Sequence, residues 1–112
     1  MSNASLSTAG GDPVPVFAAL GDHTRLALLS RLSDGEARSI SGLSAGTALT
    51  RQAVTKHLRV LEEAGLVRSV RVGRESRFAF RPETVDAARA YLEEVSRQWD
   101  DALARLSAFV ER

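Results

Sequence analysis

Thr50-Arg51-Gln52-Ala53-Val54-Thr55-Lys56-His57-Leu58-Arg59-Val60-Leu61-Glu62-Glu63-Ala64-Gly65 reads as one amphipathic helix with a marked start and a marked stop. Thr50 is a good N-cap, because its hydroxyl accepts a hydrogen bond from a first-turn N–H that lacks a helical partner. Gly65 suits the position after the C-cap, where the chain turns left-handed and a Cβ would clash. At about 100° per residue, Val54, Leu58 and Leu61 stack on one side. Arg51, Gln52, Thr55, Lys56 and Arg59 fill a continuous arc on the other. Three of these five are cationic, and the other two donate and accept hydrogen bonds. An apolar stripe backed by such an arc suits a helix lying in a DNA major groove. Most charged helix faces are simply solvated, so the surrounding chain has to decide.

The chain has 112 residues, the size of one small domain, with 44% hydrophobic and 26% charged residues. Its net charge is only +1, but the charge is unevenly placed. Residues 1–50 sum to −1, residues 51–81 to +5 and residues 82–112 to −3. A basic centre between neutral and acidic ends is the electrostatic footprint of a nucleic-acid surface. There is no Cys, which excludes disulfides, thiolate metal sites and a Cys nucleophile. No run approaches the roughly 18 apolar residues of a membrane span. No signal-peptide pattern opens the sequence. The expectation is a cytoplasmic protein with no membrane partner.

Residues 1–12 show no periodicity and read as a disordered tail, and Ser2-Asn3-Ala4 resembles a cloning remnant. Residues 13–112 read as one folded domain. Pro13 and Pro15 suit the start of a helix, which runs through Val14, Phe17, Ala18 and Leu20 to about Gly21. Asp22 caps the next helix, with Leu26, Leu29 and Leu32 inward and Leu28 beside them. Asp34-Gly35 is a turn. A third, shorter helix spans Ser39 to about Ala45, with Ile40 and Leu43 inward. Two short helices, a tight turn and a polar-faced second helix form a helix-turn-helix pattern.

After Gly65 the period changes to two. Leu66, Arg68, Val70 and Val72 alternate with Val67, Ser69 and Arg71; Gly73-Arg74-Glu75 is a turn; Phe78 and Phe80 alternate with Arg77, Ala79 and Arg81. This is a β-hairpin, and a hairpin directly after a helix-turn-helix is a wing. Arg71, Arg74 and Arg77 gather at its tip, where they can meet phosphates or the minor groove. Pro82 closes the wing. From about Glu83 to Glu111 no Gly or Pro interrupts a long helix. Val85, Ala88, Leu92, Val95, Trp99, Ala102, Leu106 and Phe109 recur in alternating steps of three and four, an a/d heptad seam. Leu103 and Val110 widen it. A helix of roughly 40 Å is longer than a small core can cover. The seam therefore predicts pairing with a second copy, with Val14 and Phe17 of the first helix alongside; the alternative is a helix folded back over its own domain as core. The fold class is mostly α with a β-hairpin wing, the first and last helices forming a dimer interface.

The chain resembles the ArsR-type winged helix-turn-helix repressors of bacteria. The resemblance rests on Phe17-Ala18-Ala19-Leu20-Gly21-Asp22-His23-Thr24-Arg25, on T-R-Q-A-V-T-K-H-L-R-V-L-E-E-A-G-L-V from Thr50 to Val67, and on Gly73-Arg74-Glu75. It extends over about residues 14–112. It implies a homodimer joined through its first and last helices and bound to an imperfect inverted repeat. It places Arg51, Gln52, Thr55 and Lys56 at base- and phosphate-contacting positions. Family members that sense metals use Cys in the third helix, or Asp, His and Glu in the last. Here the third-helix region reads Glu36-Ala37-Arg38-Ser39-Ile40-Ser41, and the last helix has Asp86, Glu93 and Glu94 but no His. The expectation is no metal and no cofactor. Gly42 stands where the family usually has Glu. Ala48 stands where it usually has Gly, so either Ala48 is strained or the turn differs.

Little other chemistry is legible. His23 falls in the first turn of its helix. His57 falls on the flank shared with Ala53, Val60 and Ala64, a place for packing against a neighbouring helix. No residue set supplies both a nucleophile and a base, so no enzyme is expected. The reading is a sequence-specific DNA-binding regulator, with DNA contacts at Arg51, Gln52, Thr55, Lys56, Arg59, Arg71, Arg74 and Arg77. Dimer contacts are expected at Val14, Phe17, Leu92, Val95, Trp99, Leu103, Leu106 and Phe109. The alternatives are a winged-helix protein–protein module and a sensor of the same fold gated by an unidentified small molecule.

Overall fold

The computed structural model describes residues 12–111. The tail expected over residues 1–12 therefore lies, except for Asp12, outside the described residues. Among the described residues five helices and three strands follow in order: α1 (Val14–Leu20), α2 (His23–Leu32), β1 (Arg38–Ser39), α3 (Ile40–Ser44), α4 (Arg51–Glu63), β2 (Val67–Val72), β3 (Glu75–Phe80) and α5 (Pro82–Val110).

Local chemistry accounts for most boundaries. The Asp22 carboxylate accepts from the Arg25 N–H at 2.9 Å and starts α2. The Ser39 hydroxyl accepts from the Gly42 N–H at 3.0 Å and starts α3. The Thr50 hydroxyl accepts from the Ala53 N–H at 3.0 Å and starts α4. Pro82 occupies the first turn of α5, where its missing N–H costs nothing. α4 ends at Gly65 with φ 80°. There the Leu66 N–H reaches the Leu61 carbonyl and the Gly65 N–H the Glu62 carbonyl, both at 2.9 Å. This paired closure satisfies carbonyls that the helix end would otherwise leave open.

The core is apolar throughout. Leu28, Leu29 and Leu32 of α2, Leu43 of α3, Val54, Leu58 and Leu61 of α4, Leu66, Val67 and Phe78 meet Val16, Ala19 and Ala88 in one cluster. No charged or polar residue is buried among the described residues.

Several expectations are corrected. The wing has a third strand: β1 pairs antiparallel with β3, Arg38 opposite Phe78 and Ser39 opposite Arg77, giving the order β1-β3-β2. Two residues carry no period, and the strand exists only through its partner. The third helix is shorter than expected, because Ser39 belongs to β1 and caps α3. Leu26 is exposed; it lies about 110° around the helix from the centre of the Leu28–Leu29–Leu32 face. Ala48 is unstrained, since Gly46, at φ 76°, supplies the left-handed residue of the turn.

α5 is used unequally. Its start joins the core through Val85 and Ala88. Tyr91 then meets Phe17 of α1, with ring centroids 6.0 Å apart at 46°. Beyond that point the helix leaves the domain, and the molecule measures 67 × 29 × 23 Å. Leu92, Trp99, Leu103, Leu106, Phe109 and Val110 are exposed along it, as is Val14 on α1. Trp99, at 65% exposure, and Phe109, at 69%, touch no core of their own chain. Val95 and Ala102 are half-buried.

Candidate nucleic-acid interface

α4 presents two faces fixed by its packing. Val54, Leu58 and Leu61 are fully buried. On the opposite side Arg51, Gln52, Thr55, Lys56 and Arg59, with Ile40 of α3 as an apolar wall, line one open groove. Arg51, Gln52, Lys56 and Arg59 are exposed and Thr55 is half-buried. Thr55 donates its hydroxyl proton to the Arg51 carbonyl at 2.8 Å, which leaves its oxygen free to accept. Among the described residues, Arg51, Lys56 and Arg59 make no salt bridge. Three uncompensated cations on one helix face attract polyanions, and Gln52 adds a paired donor and acceptor. Ile40 is the one groove residue missed by sequence reasoning. Its inward assignment hid that half of it faces the groove.

The wing sits beside this face. Val72 pairs with Glu75 across a two-residue turn, Gly73-Arg74. Gly73 takes φ 63°, as the first central position of a type II′ hairpin requires. Arg74 projects at the tip and is exposed. The three arginines expected around one tip do not share a face. Opposite residues in an antiparallel pair lie on the same side of a sheet. Arg71 opposite Ser76 therefore shares the side of Val67 and Phe78, whereas Arg77 opposite Val70 shares the other side with Val72 and Glu75. Arg77 is also bound to Glu75 at 2.8 Å. Among the described residues Arg71 and Arg74 make no salt bridge, whereas Arg77 does. The parity of the register contains this split, but the grouping by nearness to the turn obscured it.

The Ser69 hydroxyl donates to the Glu62 carboxylate at 2.8 Å and ties β2 to the end of α4. His57 lies on the α4 flank, its side chain 25% exposed, and faces α2. Its Nδ1 lies 3.5 Å from Arg25 Nη1 and 3.9 Å from Asp22 Oδ2. The Arg25 N–H bond holds the Asp22 carboxyl below the ordinary aspartate value against the opposing effect of burial, and the Arg25 charge adds to the lowering. Among the described residues no three His, Cys, Asp or Glu side chains converge as a metal site. No helix among them is long and apolar enough to cross a membrane.

Residues 20–70 match the model of a helix-turn-helix domain family. The chain is 41% identical over 70 residues to an uncharacterised HTH-type transcriptional regulator of Bacillus subtilis (strain 168), spanning 57% of this chain and 76% of that protein. An ArsR-like transcriptional regulator from Rhodococcus sp. RHA1 is similar in structure, with TM-score 0.78, 38% identity and coverage of 86% of this chain and 90% of that one. A homodimeric winged helix-turn-helix DNA-binding domain from Mycobacterium bovis shares the fold at TM-score 0.62 and 24% identity, over 86% and 85% of the two chains.

Proposed function

The chain belongs to the ArsR family of helix-turn-helix DNA-binding transcriptional regulators, and from that premise we propose that it is a homodimeric repressor reading an inverted repeat. One observation carries this reading: a basic arc on α4 that lines an open groove and an exposed heptad seam on α5 occur in the same chain. The arc supplies a reading head. The seam demands a partner, because a contiguous apolar stripe of this length is rare on a monomer surface. Two copies joined along α5, with Val14 and Phe17 of α1 beside the seam, carry two reading heads related by a twofold axis. Heads about 34 Å apart meet successive major grooves on one side of a duplex.

Each α4 lies in a major groove. Arg51 and Gln52, at its N-terminal end, contact base edges. Thr55, Lys56 and Arg59 contact bases or the flanking backbone. Arg71 and Arg74 reach phosphates or the adjoining minor groove. Bound near a promoter, such a dimer excludes polymerase.

Selection of bound duplexes from a random pool tests this directly. The expected product is an imperfect palindrome with half-site centres about 10 base pairs apart. A pool without enrichment at physiological salt, from protein shown to be dimeric by sedimentation, refutes the reading.

A further inference from the structure

Arg25 occupies an unusual junction. Its Nε donates to the Ala19 carbonyl at 2.8 Å and its Nη2 to the Ala18 carbonyl at 3.3 Å. These are among the last carbonyls of α1, where the helix runs out of its own donors, and that of Ala18 also accepts from the capping Gly21 N–H at 3.2 Å. Its third nitrogen, Nη1, lies 3.5 Å from Nδ1 of His57, in the middle of α4. Its own backbone N–H holds Asp22, whose carboxylate lies 3.9 Å from the same imidazole. Among the described residues, Arg25 is the side chain whose hydrogen bonds reach both α1 and α4. Val16 and Ala19 of α1 and Val54, Leu58 and Leu61 of α4 otherwise belong to one apolar core cluster.

We infer that Arg25 and His57 are positioning residues that set the angle of α4 against α1, and through it the half-site spacing the dimer accepts. The inference rests on the dimeric reading above, since α1 lies beside the seam. Apolar packing is non-directional and tolerates small rotations. A planar guanidinium anchored on two carbonyls is directional. His57 offers Nδ1 as an acceptor when its ring proton sits on Nε2. A tilt of about 10° pivoting at the middle of α4 moves its N-terminal end, roughly 10 Å away, by ~2 Å, about half a base-pair step. A weak contact at 3.5 Å is adequate for this role, because it selects among nearby packings and carries little stability.

The test uses the full chain and its selected duplex, with the spacer between half-sites lengthened or shortened by one base pair. The wild type is expected to prefer its selected spacing by about tenfold, the size of one mismatched contact. His57→Leu, which removes the acceptor, and Arg25→Lys, which cannot reach both helices at once, should narrow this to about threefold or less. His57→Gln, which keeps an acceptor, should retain the wild-type ratio. The ratio among spacings separates positioning from stability or direct contact, either of which lowers all affinities together. If the Leu variant does not melt cooperatively, the Lys variant carries the comparison. An unchanged ratio in the folded variants overturns the inference alone. A wild type that selects no inverted repeat overturns the dimeric reading and this inference with it.

Discussion

Gly65 and Asp22 show how single residues hold the reading helix in place. At Gly65 the backbone needs φ 80°, and an added Cβ would sit 3.3 Å from the Thr84 hydroxyl, which itself donates to the Gly65 carbonyl at 2.6 Å. Gly65→Ala should destabilise the fold by about 1–2 kcal/mol, the cost of a left-handed L-residue, measured by denaturant unfolding. Asp22 gives a pH signature. Its folded carboxyl is held down chiefly by the Arg25 N–H, so folding favours the ionised form. That contribution is complete above the unfolded value of about 4 and disappears as pH falls through the lower folded one. Asp34 is depressed likewise, chiefly by the Glu36 N–H and also by Arg38, against the opposing effect of burial. Asp22→Asn, which keeps a capping oxygen, should therefore weaken but not abolish the acid dependence of the melting temperature. At the reading face, Arg51→Ala and Gln52→Ala should each relax preference at one position per half-site, by about 1–3 kcal/mol of discrimination in competition binding.

The wing behaves as an element, because its charges are distributed by register. Arg74 stands free at the tip, and Arg77 is occupied by Glu75. Arg74→Ala should weaken binding to all duplexes alike and lower the salt slope by about 1 per protomer. Glu75→Gln should act oppositely. It releases Arg77 and removes a carboxylate, so affinity for any duplex rises and its salt dependence steepens. Titrations at several salt concentrations check both. Two-period alternation made β2 and β3 legible in sequence, and cap chemistry made the ends of α2 and α4 legible. β1 was not legible. Its two residues become a strand only because Phe78 and Arg77 offer an open edge beside them.

At the scale of the whole molecule, the distal half of α5 decides assembly. Leu92, Trp99, Leu103, Leu106 and Phe109 stand exposed along it among the described residues. Leu106→Arg should leave the α1–α4 core folded, since Leu106 touches none of it. It should convert a dimer to a monomer in sedimentation and abolish preference for a palindrome over a single half-site. Loss of the dimer with the palindrome preference intact would separate assembly from DNA reading.

The winged helix-turn-helix order, the ends of α4, its polar arc and the heptad seam are all legible in the linear chain. Each depends on periodicity or on bonds within a few residues, which the chain carries locally. Folding in three dimensions was needed to join β1 to the wing, to turn Leu26 outward and to pair Arg77 with Glu75. It also brought Arg25 to His57, thirty-two positions away. Those outcomes depend on which surfaces meet, and no local pattern encodes a meeting between distant segments.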